Sequence, residues 1–388
     1  MSRVINFEIN IPDYVKPVLE KPEVAGYEAY IVGGCVRDAL MGRTPGDWDV
    51  CTSALPEETL AVFAGEKTIE TGIKHGTVTV MSQGQPVEIT TYRIDGEYED
   101  GRRPKEVEFT RCLEEDLARR DFTINAMAYH PKTGIVDLYG GRDDLKVGLI
   151  RCVGEPSRRF KEDGLRIMRG LRFASVLDFS IEPKTDQAMR QLKDNLNQVS
   201  KERINVELSK LLLGSKADAI LAVFIEILEV AAPGIEIPKR SLQCLPANLP
   251  IRLAAVFPKD TGKWLRELKY DGNTIRLARV LSRLDGTPAL TEPKLEMLKF
   301  LHRYGEKTTI LHYARAGEKE LEALVQLLKE EPCYEYRHLA INGDDLIEAG
   351  IDRGPKLGDA LDRLLNLVIE GEVENEKEAL LAALKEEQ

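Results

Sequence analysis

The chain has 388 residues, 43% of them hydrophobic, with a formal net charge of −11, which leaves room for two or more domains. No apolar run reaches the roughly 18–20 residues needed to span a bilayer, and the first residues, MSRVINFEINIPDY, have no signal-peptide core, so a cytoplasmic protein without a membrane partner is expected. The acidic balance weighs against a nucleic-acid partner, but residues 151–216 hold fourteen Lys or Arg against nine Asp or Glu. Such a basic segment suits either a phosphate backbone or a salt-bridged helical surface. The six cysteines, at 35, 51, 112, 152, 244 and 333, form no C-x-x-C pair, which argues against a zinc knuckle or a redox dithiol. The five histidines are scattered with no His-Asp dipeptide, against an appended metal-dependent phosphohydrolase.

In chain order, a short helix is expected near Val15–Leu19, then a strand over Glu28–Val32, a Gly33-Gly34 turn and a helix over Cys35–Met41. Gly-rich turns and helix N-termini offer unpaired N–H groups to anions. Arg37 lies in the first turn of this helix, within reach of a phosphate, and Asp38 is placed to cap or pair locally. If Asp47-Trp48-Asp49-Val50 is extended, both carboxylates point one way and Trp48 points into the core. Two acids on one strand face beside glycines suit a metal-bound triphosphate, although a solvated surface strand has the same pattern.

A helix follows over Pro56–Phe63, then a hairpin of Gly76–Ser82 and Val87–Arg93 around Gln83-Gly84-Gln85. Glu88 faces away from Val87 and Ile89 and can supply a third carboxylate. The polar stretch Asp95–Arg103 reads as a mobile loop beside the site, followed by a strand at Glu106–Thr110. Asp116–Ala128 is expected to begin a helix carrying Arg119, Arg120, Asp121 and Asn125, whose adjacent arginines suit a triphosphate clamp. From Pro156 the pattern is helical to the end. Ser157–Ser175 is expected as one helix on which Asp163, Arg166, Arg169 and Arg172 form a ridge.

Together these motifs carry a resemblance. G-G-x-V-R-D at 33–38, D-W-D at 47–49, R-R-D-F-T-I-N-A-M at 119–127 and E-D-G-L-R at 162–166 occur in one order. I-N-G-D-D-L at 341–346 and G-P-K-L-G at 354–358 follow them. The chain resembles the class II tRNA nucleotidyltransferases, the family of CCA-adding enzymes and bacterial poly(A) polymerases. The resemblance implies an α+β fold: a polymerase-β-type nucleotidyltransferase head with a mixed sheet and helices, followed by an all-α neck, body and tail. The expected limits are 1–150 for the catalytic head, 151–215 for a base-recognising neck, and 216–388 for a tRNA-binding body and tail.

It also implies the chemistry, in which the tRNA 3′-hydroxyl attacks the α-phosphate of CTP or ATP and pyrophosphate leaves. Asp47 and Asp49 would hold two Mg²⁺ ions about 3.5–4 Å apart, with Glu88 as the third catalytic carboxylate. Gly34, Arg37 and Arg120 match nucleotide-binding positions, and Asn125 is a ribose contact. Asp163 and Arg166 would read the base: Asp accepts from the exocyclic amine that C and A share, and Arg donates beside it. Arg169 and Arg172 match further nucleotide-side arginines. The partners implied are the tRNA acceptor end, CTP and ATP, with no protein partner.

Within the family, residues 94–109 keep without a gap the flexible-loop pattern of which CC-adding members characteristically lack part. T-G-I-K-H-G-T-V-T at 71–79 resembles the CCA-adding type rather than the basic signature of poly(A) polymerases. The alternatives are an A-adding or, ranked below it, a CC-adding tRNA nucleotidyltransferase, a poly(A) polymerase, and a tRNA-binding protein without catalysis.

Overall fold

The computed structural model describes residues 8–95, 107–284 and 293–385. They form two compact units, Met1–Ile237 and Pro238–Gln388. The first opens with α1 (Lys16–Val24), β1 (Ala29–Val32), α2 (Gly34–Leu40), β2 (Asp49–Thr52), α3 (Pro56–Val62) and β3 (Thr68–Ile69). It continues through β4 (Thr77–Ser82), β5 (Gln85–Thr91), β6 (Arg93–Asp95), β7 (Val107–Phe109), α4 (Leu113–Ala118), β8 (Met127–His130), β9 (Gly134–Asp137), α5 (Gly141–Val147) and β10 (Leu149–Ile150). Helices then take over: α6 (Pro156–Glu162), α7 (Leu165–Leu177), the short β11 (Ser180–Ile181), α8 (Pro183–Gln191), α9 (Lys201–Leu213) and α10 (Ala217–Ala231).

Seven strands form one sheet in the order β3-β4-β5-β2-β1-β8-β9. β2 and β5 run parallel, while the other neighbours are antiparallel. The alternating Thr and Val of β4 bury every second residue, as a half-buried strand requires. One face of the sheet packs Ile31, Val50, Val78, Val80 and Ile89 against Val18, Leu19, Val36 and Trp48. The other carries Val32, Cys51 and Ala128, with Leu117 and Tyr92. Side chains alternate along each strand, so Asp49 and Glu88 belong to this second face.

Three expectations are corrected. The helix expected from Asp116 is α4, which ends at Ala118. Phe122 is extended, a single 3₁₀ turn covers Thr123–Asn125, and β8 begins at Met127. Phe122, Ile124, Ala126 and Met127 are fully buried, so packing into the sheet overrides local helix propensity. Secondly, β2 begins at Asp49 and Asp47 lies in the bend before it, although Trp48 is buried and both acids are exposed as expected. Thirdly, the Ser157–Ser175 helix is two helices. Asp163 is extended (φ −148°, ψ 107°) and its Oδ1 accepts from the Leu165 N–H at 3.0 Å, capping α7. Asp163 therefore does not share a helix with Arg166. The loop expected over Asp95–Arg103 falls almost wholly on residues 96–106, outside the described residues; the strands that flank it, β6 and β7, pair antiparallel.

The second unit is helical among its described residues: α11 (Leu249–Val256), α12 (Thr261–Glu267), α13 (Gly272–Arg283), α14 (Pro293–Tyr304), α15 (Glu306–Ala316), α16 (Glu318–Lys329), α17 (Gly343–Glu348), α18 (Pro355–Glu370) and α19 (Lys377–Lys385). Met297, Leu301, Tyr313, Leu324, Leu346, Leu364 and Leu380 share its core. The I-N-G-D-D-L stretch has a local reason. Asn342 Oδ1 accepts from the N–H groups of Asp344 and Asp345, and Asp345 Oδ2 accepts from Asn342 N–H at 2.9 Å. This capping box starts α17 and contributes about 1 kcal/mol.

Candidate active site

The site is assembled at the ends of β1 and β2. Ile31 pairs with Val50, so the chain leaves β1 into Gly33-Gly34 beside the start of β2 at Asp49. The Cys35 thiol donates to the Val32 carbonyl at 3.3 Å and lies 3.9 Å from the Asp49 carbonyl, closing the turn onto β2. Gly33 has φ +82° and ψ −128°, a conformation that favours glycine, and a Cβ there would lie 3.1 Å from Arg120 Nη1. A Cβ on Gly34 would lie 3.6 Å from Arg37 Nη2. Gly33 thus lets the Arg120 guanidinium close on the backbone, while Arg37 lies at ordinary contact distance from Gly34.

Asp49 and Glu88 are register partners on adjacent parallel strands, and both are exposed. Their carboxylates and that of Asp47 hydrogen-bond to no described residue. Solvent reaches Asp49, yet the protein crowded around it pushes its pKa up to about 6, with the charges of Glu88 and Asp47 adding to burial and Arg120 opposing them. Arg120 is held by Asp116, whose buried carboxylate takes Arg120 Nη2 at 3.0 Å and Arg119 Nη2 at 2.7 Å. Burial works to raise the Asp116 pKa, but the two arginines outweigh it and hold it below the ordinary range.

From the glycine turn, a polar chain runs into the helices. Arg37 is buried, donates from Nη1 to Asn125 Oδ1 at 2.7 Å and pairs with Asp38 at 2.8 Å. Asp38 therefore takes the pairing role, and Asn125 holds Arg37. Asn125 Nδ2 donates to Asp121 Oδ1 at 3.3 Å, and Asp121 Oδ2 accepts from Arg169 Nε at 2.7 Å. Burial acts to raise the Asp121 pKa, yet the Arg169 charge and hydrogen bond bring it down to about 2. Glu207 on α9 takes Arg172 Nε at 2.7 Å and lies 3.8 Å from Arg169 Nη1. The guanidinium groups of Arg37, Arg169 and Arg172 lie 5.1, 5.4 and 3.8 Å from the centre of the Phe173 ring.

Arg37, Asn125, Arg169 and Arg172 are thus joined through Asp121 and Glu207, while Arg120 is held by Asp116 next to the Gly33-Gly34 turn. Asp163 and Arg166 are anchored separately. Asp163 takes a two-pronged contact from Arg203, with Nη2 on Oδ2 at 2.6 Å and Nη1 on Oδ1 at 3.3 Å. Arg166 is buried, its Nη1 on Glu162 at 2.6 Å and its Nη2 on the Arg119 carbonyl at 3.0 Å. Sequence reasoning missed the roles of Glu162, Arg203, Glu207, Asp116 and Phe173. Glu162, four residues before Arg166, and Asp116, three and four before Arg119 and Arg120, had a local signal, as did Phe173, four after Arg169; Arg203 and Glu207 had none.

Three family models match successive parts of the chain. "Poly A polymerase head domain" covers residues 29–151, "Probable RNA and SrmB- binding site of polymerase A" covers 178–235, and "tRNA nucleotidyltransferase domain 2 putative" covers 249–384. The CCA-adding enzyme of Limosilactobacillus fermentum is 38% identical over 387 residues, 96% of each chain. The chain belongs to the CCA-adding enzyme family. The CCA-adding enzyme of Geobacillus stearothermophilus is 39% identical over 95% of each chain. A crystal structure of the Bacillus stearothermophilus CCA-adding enzyme in complex with CTP superposes with a TM-score of 0.82 at 33% identity, covering 97% of this chain and 98% of that one. The Thermotoga maritima CCA-adding enzyme complexed with tRNA shares the fold, with a TM-score of 0.69 at 24% identity and 97% of both chains covered. The expected architecture, a mixed-sheet polymerase head followed by helices, is the architecture found.

Nucleotidyltransferases of this kind generally use a divalent metal. Carboxylates with no hydrogen-bond partner among the described residues, one with its pKa raised by burial and by its neighbours' charges, are hard oxygen donors whose repulsion a cation relieves. Among the described residues no group of three or more His, Cys, Asp or Glu is gathered tightly enough to hold a metal alone. A pair of carboxylates completed by substrate phosphates and water is the arrangement usual for Mg²⁺. No helix of the described residues is long and apolar enough to cross a membrane.

Proposed function

We propose that this chain adds C, C and A to the 3′ end of tRNA from CTP and ATP, without a nucleic-acid template, releasing pyrophosphate at each step. The observation that carries the reading is the set of unpaired acids Asp47, Asp49 and Glu88 beside a glycine turn flanked by Arg37 and Arg120, in a chain that matches CCA-adding enzymes end to end. The active site would work in the cytoplasm, with a head at 1–150, a neck at 151–215 and a body and tail at 216–388 engaging tRNA.

Asp47 and Asp49 would hold Mg²⁺, with Glu88 supplying negative charge beside them. When bound, the metal activates the 3′-hydroxyl and neutralises charge on the leaving pyrophosphate. The chain's own residues position the substrates. The Gly33-Gly34 backbone admits the triphosphate closely, and Arg120, Arg169 and Arg172 offset its charge. Arg37 is oriented by Asp38 and Asn125, and Asn125, expected from the family resemblance as a ribose contact, would act on the nucleotide through Arg37. Asp163 accepts the exocyclic amine of C or A and Arg166 donates to the atom beside it, an edge that neither U nor G offers.

The test uses tRNAs lacking CCA, lacking CA and lacking the final A, each offered CTP, ATP or both. Complete CCA on the shortest tRNA is expected. Incorporation of A alone, and only after CC, replaces the reading with an A-adding enzyme; long A tails on generic RNA replace it with a poly(A) polymerase.

A further inference from the structure

We propose that Arg203 on α9 is a positioning residue that sets base choice by fixing the plane of the Asp163 carboxylate. The inference rests on the reading of Asp163 as a base-reading group and extends it to a residue forty positions away. Arg203 grips both carboxylate oxygens, at 2.6 and 3.3 Å. A two-pronged guanidinium contact fixes the carboxylate plane and leaves Oδ2 a second lone pair. Among the described residues the other hydrogen bond to that carboxylate comes from the Leu165 N–H, on Oδ1 at 3.0 Å, and a single bond leaves the group free to turn about it.

The main chain beneath Asp163 is fixed independently. A Cβ on Gly164 would lie 2.9 Å from the Asn195 carbonyl oxygen, and Asn195 Nδ2 donates to the Phe160 carbonyl at 3.1 Å. Arg166 has its own partners in Glu162 and the Arg119 carbonyl. Removing Arg203 therefore frees the Asp163 side chain while the helix break and Arg166 stay in place. The contact is partly open to water, with the Arg203 side chain 34% and the Asp163 side chain 17% exposed. Pairs of that kind add only about 0–1 kcal/mol to folding, so the function of this pair is separable from stability.

The chemistry says which discrimination depends on it. C and A present an exocyclic amine where U and G present a carbonyl. A fixed carboxylate accepts from the amine and repels the carbonyl; one that turns aside loses both effects. Arg203→Gln is expected to lower the ratio of kcat/KM for CTP over UTP by about ten- to a hundredfold, the scale of one hydrogen bond to a charged group. Arg203→Lys keeps the charge but not the fork, and is expected to fall between wild type and Arg203→Gln.

The experiment measures single-nucleotide incorporation on tRNA lacking CCA with CTP and with UTP, for wild type, Arg203→Gln, Arg203→Lys and Asp163→Asn, beside thermal melting. Asn at 163 offers an N–H donor to the uracil carbonyl and is expected to lower the ratio at least as far. Graded loss in the order Lys, Gln, Asn, with melting unchanged at 203, supports the proposal. A wild-type ratio in Arg203→Gln with a collapsed ratio in Asp163→Asn overturns the role of Arg203 and leaves base reading standing. A wild-type ratio in Asp163→Asn removes both. If Arg203→Gln does not fold, a wild-type ratio in Arg203→Lys overturns the proposal.

Discussion

The two charged regions of the first unit are built on opposite plans. At the ends of β2 and β5 the acids Asp47, Asp49 and Glu88 are exposed, mutually repelling and bonded to no described side chain. Around α7 the named charges have partners: Asp163 with Arg203, Arg166 with Glu162, Arg169 with Asp121, and Arg172 with Glu207. The first plan leaves a cluster that gains by taking up a cation. The second makes a preset frame, in which substrate adds contacts to groups already held in place.

Breaking the first plan should have the largest effect on rate and the smallest on folding. Asp49→Asn is expected to cut nucleotide incorporation about a thousandfold, roughly 4 kcal/mol of transition-state stabilisation. In buffer without divalent ions the same variant should melt at or above the wild-type temperature, because a repelling charge is gone. Radiolabelled CMP incorporation and thermal melting check the two halves. A variant that melts well below wild type places Asp49 among the paired, structural charges and erases the contrast.

Breaking the second plan should reverse that balance. Asp121→Asn removes the carboxylate that links Asn125 to Arg169, and is expected to cost roughly 2–4 kcal/mol of folding stability, below the full penalty of a buried pair because Arg169 still meets water. The pH dependence has a definite sign. The Asp121 pKa is brought down to about 2 in the fold, so its stabilisation is complete above the ordinary Asp range of about 4 and is lost as pH falls toward 2. Wild type minus Asp121→Asn, by chemical denaturation at successive pH values, should shrink in that window and stay flat above it.

These contrasts explain what the sequence disclosed. The glycine turn, the acids and the β4–β5 hairpin were legible because each rests on local chemistry: a backbone form that favours glycine, and alternation along a strand. The helix expected through Asn125 failed because Phe122 to Met127 are decided by burial in a sheet whose neighbours lie far away in sequence. The single helix across Asp163 failed because α-helical spacing continues across the break, while Gly164 and the capping carboxylate end one helix and begin another. Arg203 and Glu207 were invisible in their roles. Their partners lie 40 and 35 residues away, and no periodicity encodes a contact between α7 and α9. The order of motifs carried the functional reading; tertiary structure was needed to find what holds the motif residues still.

The smallest expected effect lies at Phe173, beneath the arginines of the glycine turn and α7. Its ring is buried, edge-on to Phe122 at 5.9 Å, and three arginines gather over it. Each cation over the ring contributes about 0.5–1 kcal/mol where water has access. Phe173→Leu keeps an apolar side chain but removes the face the cations share, so Arg37, Arg169 and Arg172 should lose alignment together. The triphosphate is common to CTP and ATP, so KM for both should rise by about three- to tenfold, in equal proportion. The CTP to UTP ratio should not move, because Asp163 and Arg166 are anchored elsewhere. Steady-state kinetics with both nucleotides decide it. A change confined to one nucleotide would tie Phe173 to base reading.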